Sequence, residues 1–157
     1  MKNQPTAFFC FKIDNQSLAI PLLTVERVLM ATEVLEVPEA PPVIHGIIDF
    51  HGLIIPVINL RYRLKLPLFP IRINDIFIIV ETSKRKIAVV ADSANGVIVH
   101  VETDLVRAED VDPGFKSEGM LRRDDGIVLI YDIEKFLSEQ DEAGVQIAID
   151  KQVQDKK

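Results

Sequence analysis

The chain has 157 residues, 48% of them hydrophobic, and a formal net charge of −6 at pH 7. That length makes one domain or two small subdomains sharing a core, and the apolar share is ample for a packed interior. The acidic balance excludes a nucleic-acid surface: phosphate binding needs a concentrated basic patch, and the basic residues here are scattered among acids.

The start, Met1-Lys2-Asn3-Gln4-Pro5, has none of the apolar core of a signal peptide. The one cysteine, Cys10, sits in Phe8-Phe9-Cys10-Phe11, where a buried thiol is expected, and no disulfide frame can form within one chain. Ala7 to Ile13 and Leu18 to Leu22 read as a hairpin around Asp14-Asn15-Gln16-Ser17, and Thr24 as the cap of one helical turn. From Arg27 to Val37 the pattern is strand-like again. Pro38, Pro41 and Pro42 then force an extended loop that delivers the chain to Gly46.

Next comes Gly46-Ile47-Ile48-Asp49-Phe50-His51-Gly52-Leu53-Ile54-Ile55-Pro56-Val57-Ile58-Asn59-Leu60. Its two β-branched runs read as strands meeting at a tight turn that uses Gly52 for a positive φ. Strand alternation would put Asp49 and His51 on one face and Phe50 on the other. After a proline-bearing crossover, Tyr62 to Asn74, Ile76 to Val80 and Ile87 to Val90 form a second hairpin, with Lys84-Arg85-Lys86 as its solvated tip. Asn95-Gly96 marks a turn or bulge, Val97 to Val101 a strand, Glu102 to Asp124 a long acidic excursion and Gly126 to Ile133 the last strand. Glu134 to Gln140 favours a helix capped by Asp132, and residues 141–157 read as a polar, frayed tail. No stretch reaches the roughly 20 uninterrupted apolar residues of a spanning helix, so direct membrane insertion is not expected.

The two halves look alike. An offset of 69 (88 minus 19) sets Ala19 on Ala88, Phe9 on Ile78, Phe11 on Val80, Val28 on Val97 and Leu29 on Ile98. His51-Gly52 with its following run resembles Asp125-Gly126 with its own, one residue shorter. Two similar small β-barrels are implied, each too small for an independent core and therefore packed together.

Chemistry is thin on this chain. His45, His51 and His100 lie far apart without the close spacing of a zinc site, Asp49 and His51 have no nucleophile elbow beside them, and no glycine-rich phosphate loop opens a helix. No catalytic residue, metal or cofactor is expected. A binding module remains, working through strand edges and the groove between packed barrels.

Phe-x-Ile with Ala19-Ile20, Val25-x-x-Val28, Val37-Pro38 with Ala40-Pro41, Gly46-x-Ile48-x-Phe50-x-Gly52-x-x-x-Pro56-Val57-x-Asn59-Leu60, Ile87 to Asp92 and Ile130 to Lys135 follow in an order that resembles the CheW family of chemotaxis adaptors over about residues 7 to 138. The resemblance implies an all-β fold of two SH3-like five-stranded β-barrels packed together, plus a C-terminal helix. It places a CheW-like domain at 1–140, made of two intertwined barrel subdomains of approximately 15–75 and 76–131. It implies a cytoplasmic, non-enzymatic adaptor coupling the cytoplasmic tip of a methyl-accepting chemoreceptor to the regulatory domain of a CheA-type histidine kinase, and reaching the membrane through receptor arrays. The competing reading is a structural or self-associating module that has lost kinase coupling and tunes or caps a receptor array, with homotypic association as its contact. Partner contacts are expected at Val25, Arg27, Val28, Gly46, Asp49, His51 and Gly52.

Two departures stand out. The family usually has Asn-Leu-Arg-Gly where this chain has Asp49-Phe50-His51-Gly52, and a glutamate where Arg27 stands. Those two positions commonly pair, so both members of an ion pair have changed together, as in a re-specified surface. If Arg27 and His51 face each other, Arg27 is expected to supply the cation to an acidic partner group.

Overall fold

The structure, a computed structural model, describes residues 6–100, 105–107, 119–123 and 126–155. Turn-forming residues cut the apolar runs into strands β1 (Thr6–Ile13), β2 (Gln16–Pro21), β3 (Val25–Met30), β4 (Ile44–Phe50) and β5 (Leu53–Ile58). A short helix α1 (Leu60–Arg63) follows, then β6 (Ile76–Glu81), β7 (Lys86–Ala91), β8 (Ser93–His100), β9 (Leu105–Arg107), β10 (Gly119–Arg123), β11 (Gly126–Ile130) and helix α2 (Glu139–Asp155). Of the acidic excursion expected over 102–124, residues 102–104, 108–118 and 124 lie outside the described residues, while 105–107 and 119–123 are strands. The strand expected over Arg27 to Val37 stops at Met30, and only Leu35 makes a further bridge, to Ile47. Thr24 does not cap the 3-10 turn Leu22–Thr24. It closes it, its hydroxyl donating to the Pro21 carbonyl at 2.7 Å.

Two sheets result, in the orders β8-β1-β2-β11-β10-β9 and β3-β6-β7-β5-β4. Each takes strands from both halves of the chain: the first hairpin pairs with the third strand of the second half, and the second hairpin with the third strand of the first. The offset of 69 holds at the level of register. Leu29 opposite Phe77 corresponds to Ile98 opposite Phe8, and Arg27 opposite Ile79 to Gly96 opposite Cys10, with a bulge following at Glu26 in one ladder and Asn95 in the other. For the closing hairpins the offset is 73 (126 minus 53), because Phe50 opposite Leu53 matches Arg123 opposite Gly126. Val57 beside Ala88 then matches Ile130 beside Ala19 in the parallel ladders. The likeness of His51-Gly52 to Asp125-Gly126 was therefore one residue out of register. Even β9 has a counterpart: Val106 opposite Met120 repeats the single bridge of Leu35 to Ile47. Curling the sheets gives an all-β pair of SH3-like barrels with a C-terminal helix.

Three apolar clusters follow from strand alternation. Phe8, Cys10, Ala19, Ile98, Leu121, Val128 and Ile130 fill one barrel. Ile48, Ile55, Val57, Phe77, Ile79 and Ala88 fill the other. The opposite faces of the hairpins, including Phe9, Phe11, Ile20, Ile78, Val80 and Val89, pack between the barrels. Both faces of β1 and β6 are buried, which is why these strands read as unbroken apolar runs.

A buried guanidinium ties the segments together. Arg61, its side chain 9% exposed, donates to Asp14 at 2.6 Å and to Asp92 at 2.9 and 3.1 Å, while Asp92 also accepts the Asp14 N–H at 2.7 Å. The Phe69 ring stacks on the same guanidinium at 5.0 Å. Burial alone would favour the neutral form, but the hydrogen bonds and charges of Asp14 and Asp92 outweigh it and hold the pKa above its ordinary value.

The polar tail expected from residue 141 is instead helical through Asp155. Ser138 and Asp141 form a capping box, each accepting the other's N–H at 3.0 Å, and Val145 and the half-buried Ile149 pack on the core between the barrels. Arg85, expected in a solvated tip, ties α2 to the β6–β7 turn through Glu142 at 2.8 Å and Gln146 at 2.9 Å.

Two predictions follow from this packing. Arg61→Ala takes the buried cation away from Asp14 and leaves Asp92 only the exposed Arg72, and its unfolding free energy should drop by about 3 kcal/mol in a denaturant titration. Arg61→Lys, which keeps the charge but not the fork, should lose less. Burial pushes the Cys10 thiol up to about 11, so at pH 7.5 a bulky disulfide reagent should label it only at the rate of unfolding. Labelling at the rate of a free thiol would contradict the barrel interior assigned to Cys10.

Candidate functional site

In the barrel built on the β3-β6-β7-β5-β4 sheet, called the second barrel below, the seam brings Arg27 near His51. β3 and β4 are the outer strands of the five-stranded sheet, and they meet across Phe50. The Arg27 guanidinium lies 5.5 Å from the Phe50 ring centroid, and the His51 ring stands edge-on to Phe50 at 4.4 Å. Arg27 and His51 are thus brought together through an aromatic ring and not by direct contact. A cation over an aromatic face is worth about 0.5–1 kcal/mol at an exposed site, and here it also closes the barrel.

The turn explains why His51 is there. His51 and Gly52 both have positive φ, 53° and 85°, as the two central residues of a tight hairpin with primed geometry require. For glycine this is free, whereas for histidine it costs about 1 kcal/mol, partly offset by the ring contact with Phe50. The left-handed conformation ends the strand alternation at Phe50, so Asp49 and His51 do not share a strand face. Asp49 stays exposed and closes the turn, its carboxylate accepting the Gly52 N–H at 2.8 Å.

Gly46 is structural. A Cβ there would run into the Leu35 carbonyl oxygen and lie 2.6 Å from Val34 Cγ1, so only glycine lets the 31–35 segment lie against β4. Gly119 occupies the equivalent place in the other barrel (46 plus 73), opposite Arg107. Val25 is half-buried against the core between the barrels, and Val28 is exposed. The ladder opposes Val28 to Ile78, a residue of that same inter-barrel core. Val28 and Met30 therefore lie on the face that meets the other barrel, at its free edge, where they are 38% and 58% exposed. Their counterparts on the other edge strand, Val97 and Val99, are 54% and 61% exposed. Each barrel thus presents a two-residue apolar strip at the margin of the inter-barrel interface.

The outer side of β4 carries two clefts of about 280 and 260 Å³ that share Glu33, Val34 and Glu36. His45 lines the first of them. Among the described residues no three His, Cys, Asp or Glu side chains gather as a metal site, and no helix is long and apolar enough to cross a membrane.

The family model for the CheW-like domain matches residues 7–141. The chain belongs to the CheW-like domain family. It is 30% identical over 131 residues to the chemotaxis protein CheW of Thermotoga maritima, an alignment covering 82% of this chain and 85% of that protein. It is 26% identical to the chemotaxis protein CheW of Bacillus subtilis over 133 residues, 83% and 85% of the two chains. The crystal structure of the scaffolding protein TtCheW from Thermoanaerobacter tengcongensis superposes with a TM-score of 0.79 at 24% identity, covering 88% of this chain and 96% of that one. The double barrel is thus the fold of the CheW-like family.

Sequence reasoning missed Phe50 as the ring that joins Arg27 to His51. A signal was present, since an aromatic replaces the family's leucine between two altered positions. Met30 and Val99 were missed as well. They are the i+2 neighbours of Val28 and Val97, which the repeat had already paired.

Burial holds the His45 imidazole below its ordinary pKa, with the Asp75 charge opposing. The unfolded chain then binds the extra proton as pH falls below about 6.5, so the fold loses stability on acidification until the buried ring itself titrates. The denaturation midpoint should fall between pH 7 and pH 5.5, and His45→Gln should shrink that fall. Equal slopes in both proteins would remove His45 as the cause.

Proposed function

We propose that this CheW-like chain is a non-enzymatic adaptor that joins the cytoplasmic tip of a chemoreceptor to the regulatory domain of a CheA-type histidine kinase. The observation that carries this is the pair of exposed apolar strips, Val28 with Met30 and Val97 with Val99, at free strand edges on the faces where the barrels meet. Exposed valines and methionine at such a margin suit the apolar ridge of a helical hairpin, the form of a receptor tip. The kinase would take the end of the second barrel near Gly46 and the β4–β5 turn. Acting there, the protein works in the cytoplasm, reaching the membrane through receptors.

Arg27 is the exposed cation of that end, and among the described residues no carboxylate pairs with it. It meets an acidic partner group where the family usually presents an acid of its own. His51, with its ring against Phe50, shapes the turn. Pull-down of the purified chain with a receptor cytoplasmic fragment and with a kinase regulatory domain separates the two contacts. Val28→Asp with Met30→Asp should weaken receptor capture at least about tenfold, in line with burying charges in an apolar contact. Arg27→Glu should weaken kinase capture more than His51→Ala. Receptor capture without kinase capture in the wild-type chain would leave only a structural role in the array, and capture of neither would refute the adaptor.

A further inference from the structure

The chain after β11 is fastened unequally along its length. Residues 133–137 are locked in: Ile133, Phe136 and Leu137 are buried in the core between the barrels, and the Glu134 carboxylate accepts from the Ser83 N–H at 2.8 Å and from the Ser83 hydroxyl at 2.7 Å. α2, which follows, is held more lightly. Among its described side chains Val145 and Ala148 are buried and Ile149 is half-buried, while Ile147 is 64% exposed. A helix of this length is marginal in water by itself, and Gly144 with the β-branched Val145, Ile147 and Ile149 lowers its propensity further. Gly144 serves docking instead: a Cβ there would lie 2.8 Å from Pro41 Cγ, so a larger residue would hold the helix off the proline loop. The helix therefore depends on its contacts with the barrels to exist.

Those contacts are mainly polar, and they converge on the β6–β7 tip. Arg85 donates to Glu142 at 2.8 Å and to Gln146 at 2.9 Å, with the Arg85 and Glu142 side chains 17% and 13% exposed. Lys151 bonds Glu39 at 2.7 Å as well, but both side chains lie largely in solvent, where an ion pair contributes little. We propose that α2 is a strap that opens from the inter-barrel core as one unit, hinged just after Leu137 and latched by Arg85, while both barrels stay folded. Elements with few buried apolar contacts open well below the free energy of global unfolding, and the doubly bonded Glu134 stops the opening from spreading back into the core. Closed, the strap covers apolar surface between the barrels through Val145 and Ile149. That surface is available to a partner only in the open fraction, and the affinity of anything that binds it is scaled down by that fraction.

Amide hydrogen exchange on the full chain tests the strap. Val145, Ile147, Ala148 and Ile149 should share one opening constant, with protection at least about a hundredfold below that of Ile78 and Val89 in β6 and β7, while Phe136 keeps the protection of the barrels. Arg85→Glu should lower the shared protection about tenfold, as the loss of charged hydrogen bonds implies, and leave Ile78 and Val89 unchanged. Adding Glu142→Arg should restore most of it. Should Arg85→Glu fail to fold, Arg85→Gln takes its place with the same direction of effect, and the wild-type pattern decides between a strap and its alternatives on its own. Helix amides exchanging with β6 and β7 would make α2 part of one unit with the barrels. Protection falling stepwise from Val145 to Ile149 would make it a fraying end, and protection unchanged by Arg85→Glu would remove the latch. Each of these results overturns the proposal.

Discussion

Arg61 holds together three parts of the chain that are far apart in sequence. Its guanidinium joins the β1–β2 turn through Asp14, the exit of β7 through Asp92 and the crossover through Phe69 and the Pro67 carbonyl. Arg72 adds a second cation, bonded to Asp92 at 2.9 Å and lying 5.5 Å from the Phe69 ring centroid. The carboxylates cannot be left alone, because Asp92 also accepts from the Asp14 backbone and its own N–H donates to Lys12. Taking charges out of water is costly, and only a fork that satisfies several acceptors at once repays it. The crossover from the first half to the second is therefore anchored at one point, and β6 and β7 begin in a defined place relative to β1 and β2.

That anchor sits where the halves exchange partners. Each sheet combines one half's hairpin with the remaining strands of the other half, so the ladders β1 with β8 and β3 with β6 are contacts between repeats. Pulling the barrels apart would break backbone hydrogen bonds as well as the apolar layer of Phe9, Phe11, Ile78 and Val80. Two units near sixty residues, each with a marginal core of its own, become one cooperative body. α2 contributes to the same layer through Val145 and Ile149.

Much of this was legible in the residues, and the reasons are specific. Hairpins β1–β2 and β6–β7 announce themselves because Asp14-Asn15 and Ser83 to Arg85 interrupt β-branched runs, and the repeat shows because equivalent positions face equivalent cores. Strands β9 and β10 were hidden: Leu105–Arg107 is too short for alternation to register, and acidic surroundings mask Gly119–Arg123. α2 was misread because its apolar stripe is thin among the described residues, with Val145 and Ala148 buried and Ile149 half-buried, whereas the Ser138-x-x-Asp141 box that marks its start depends on a hydrogen-bond geometry easily passed over in a polar stretch. At the site, strand alternation failed at His51, since a hairpin turn imposes its own dihedral angles on any residue it contains. Arg85 was assigned to solvent because nothing local reveals that Glu142 lies across from it.

Fixed barrels also limit where partner choice can evolve. With the strands exchanged, the margin between the barrels cannot widen or rotate without unpairing β3 or β8, so a partner meets a preformed surface and discrimination rests on side chains at its rim. The rim positions that differ from the family habit are Arg27, Asp49, Phe50 and His51, and Arg27, Phe50 and His51 form one contact unit. Reversing the charge at Arg27 alone would have left an unpaired group beside the turn, but the ring of Phe50 gives the guanidinium a neighbour that carries no formal charge. The barrel stays closed while its outward charge changes sign. A surface can be re-specified in this way without disturbing the core, because the arginine that covers the Phe50 ring is itself exposed.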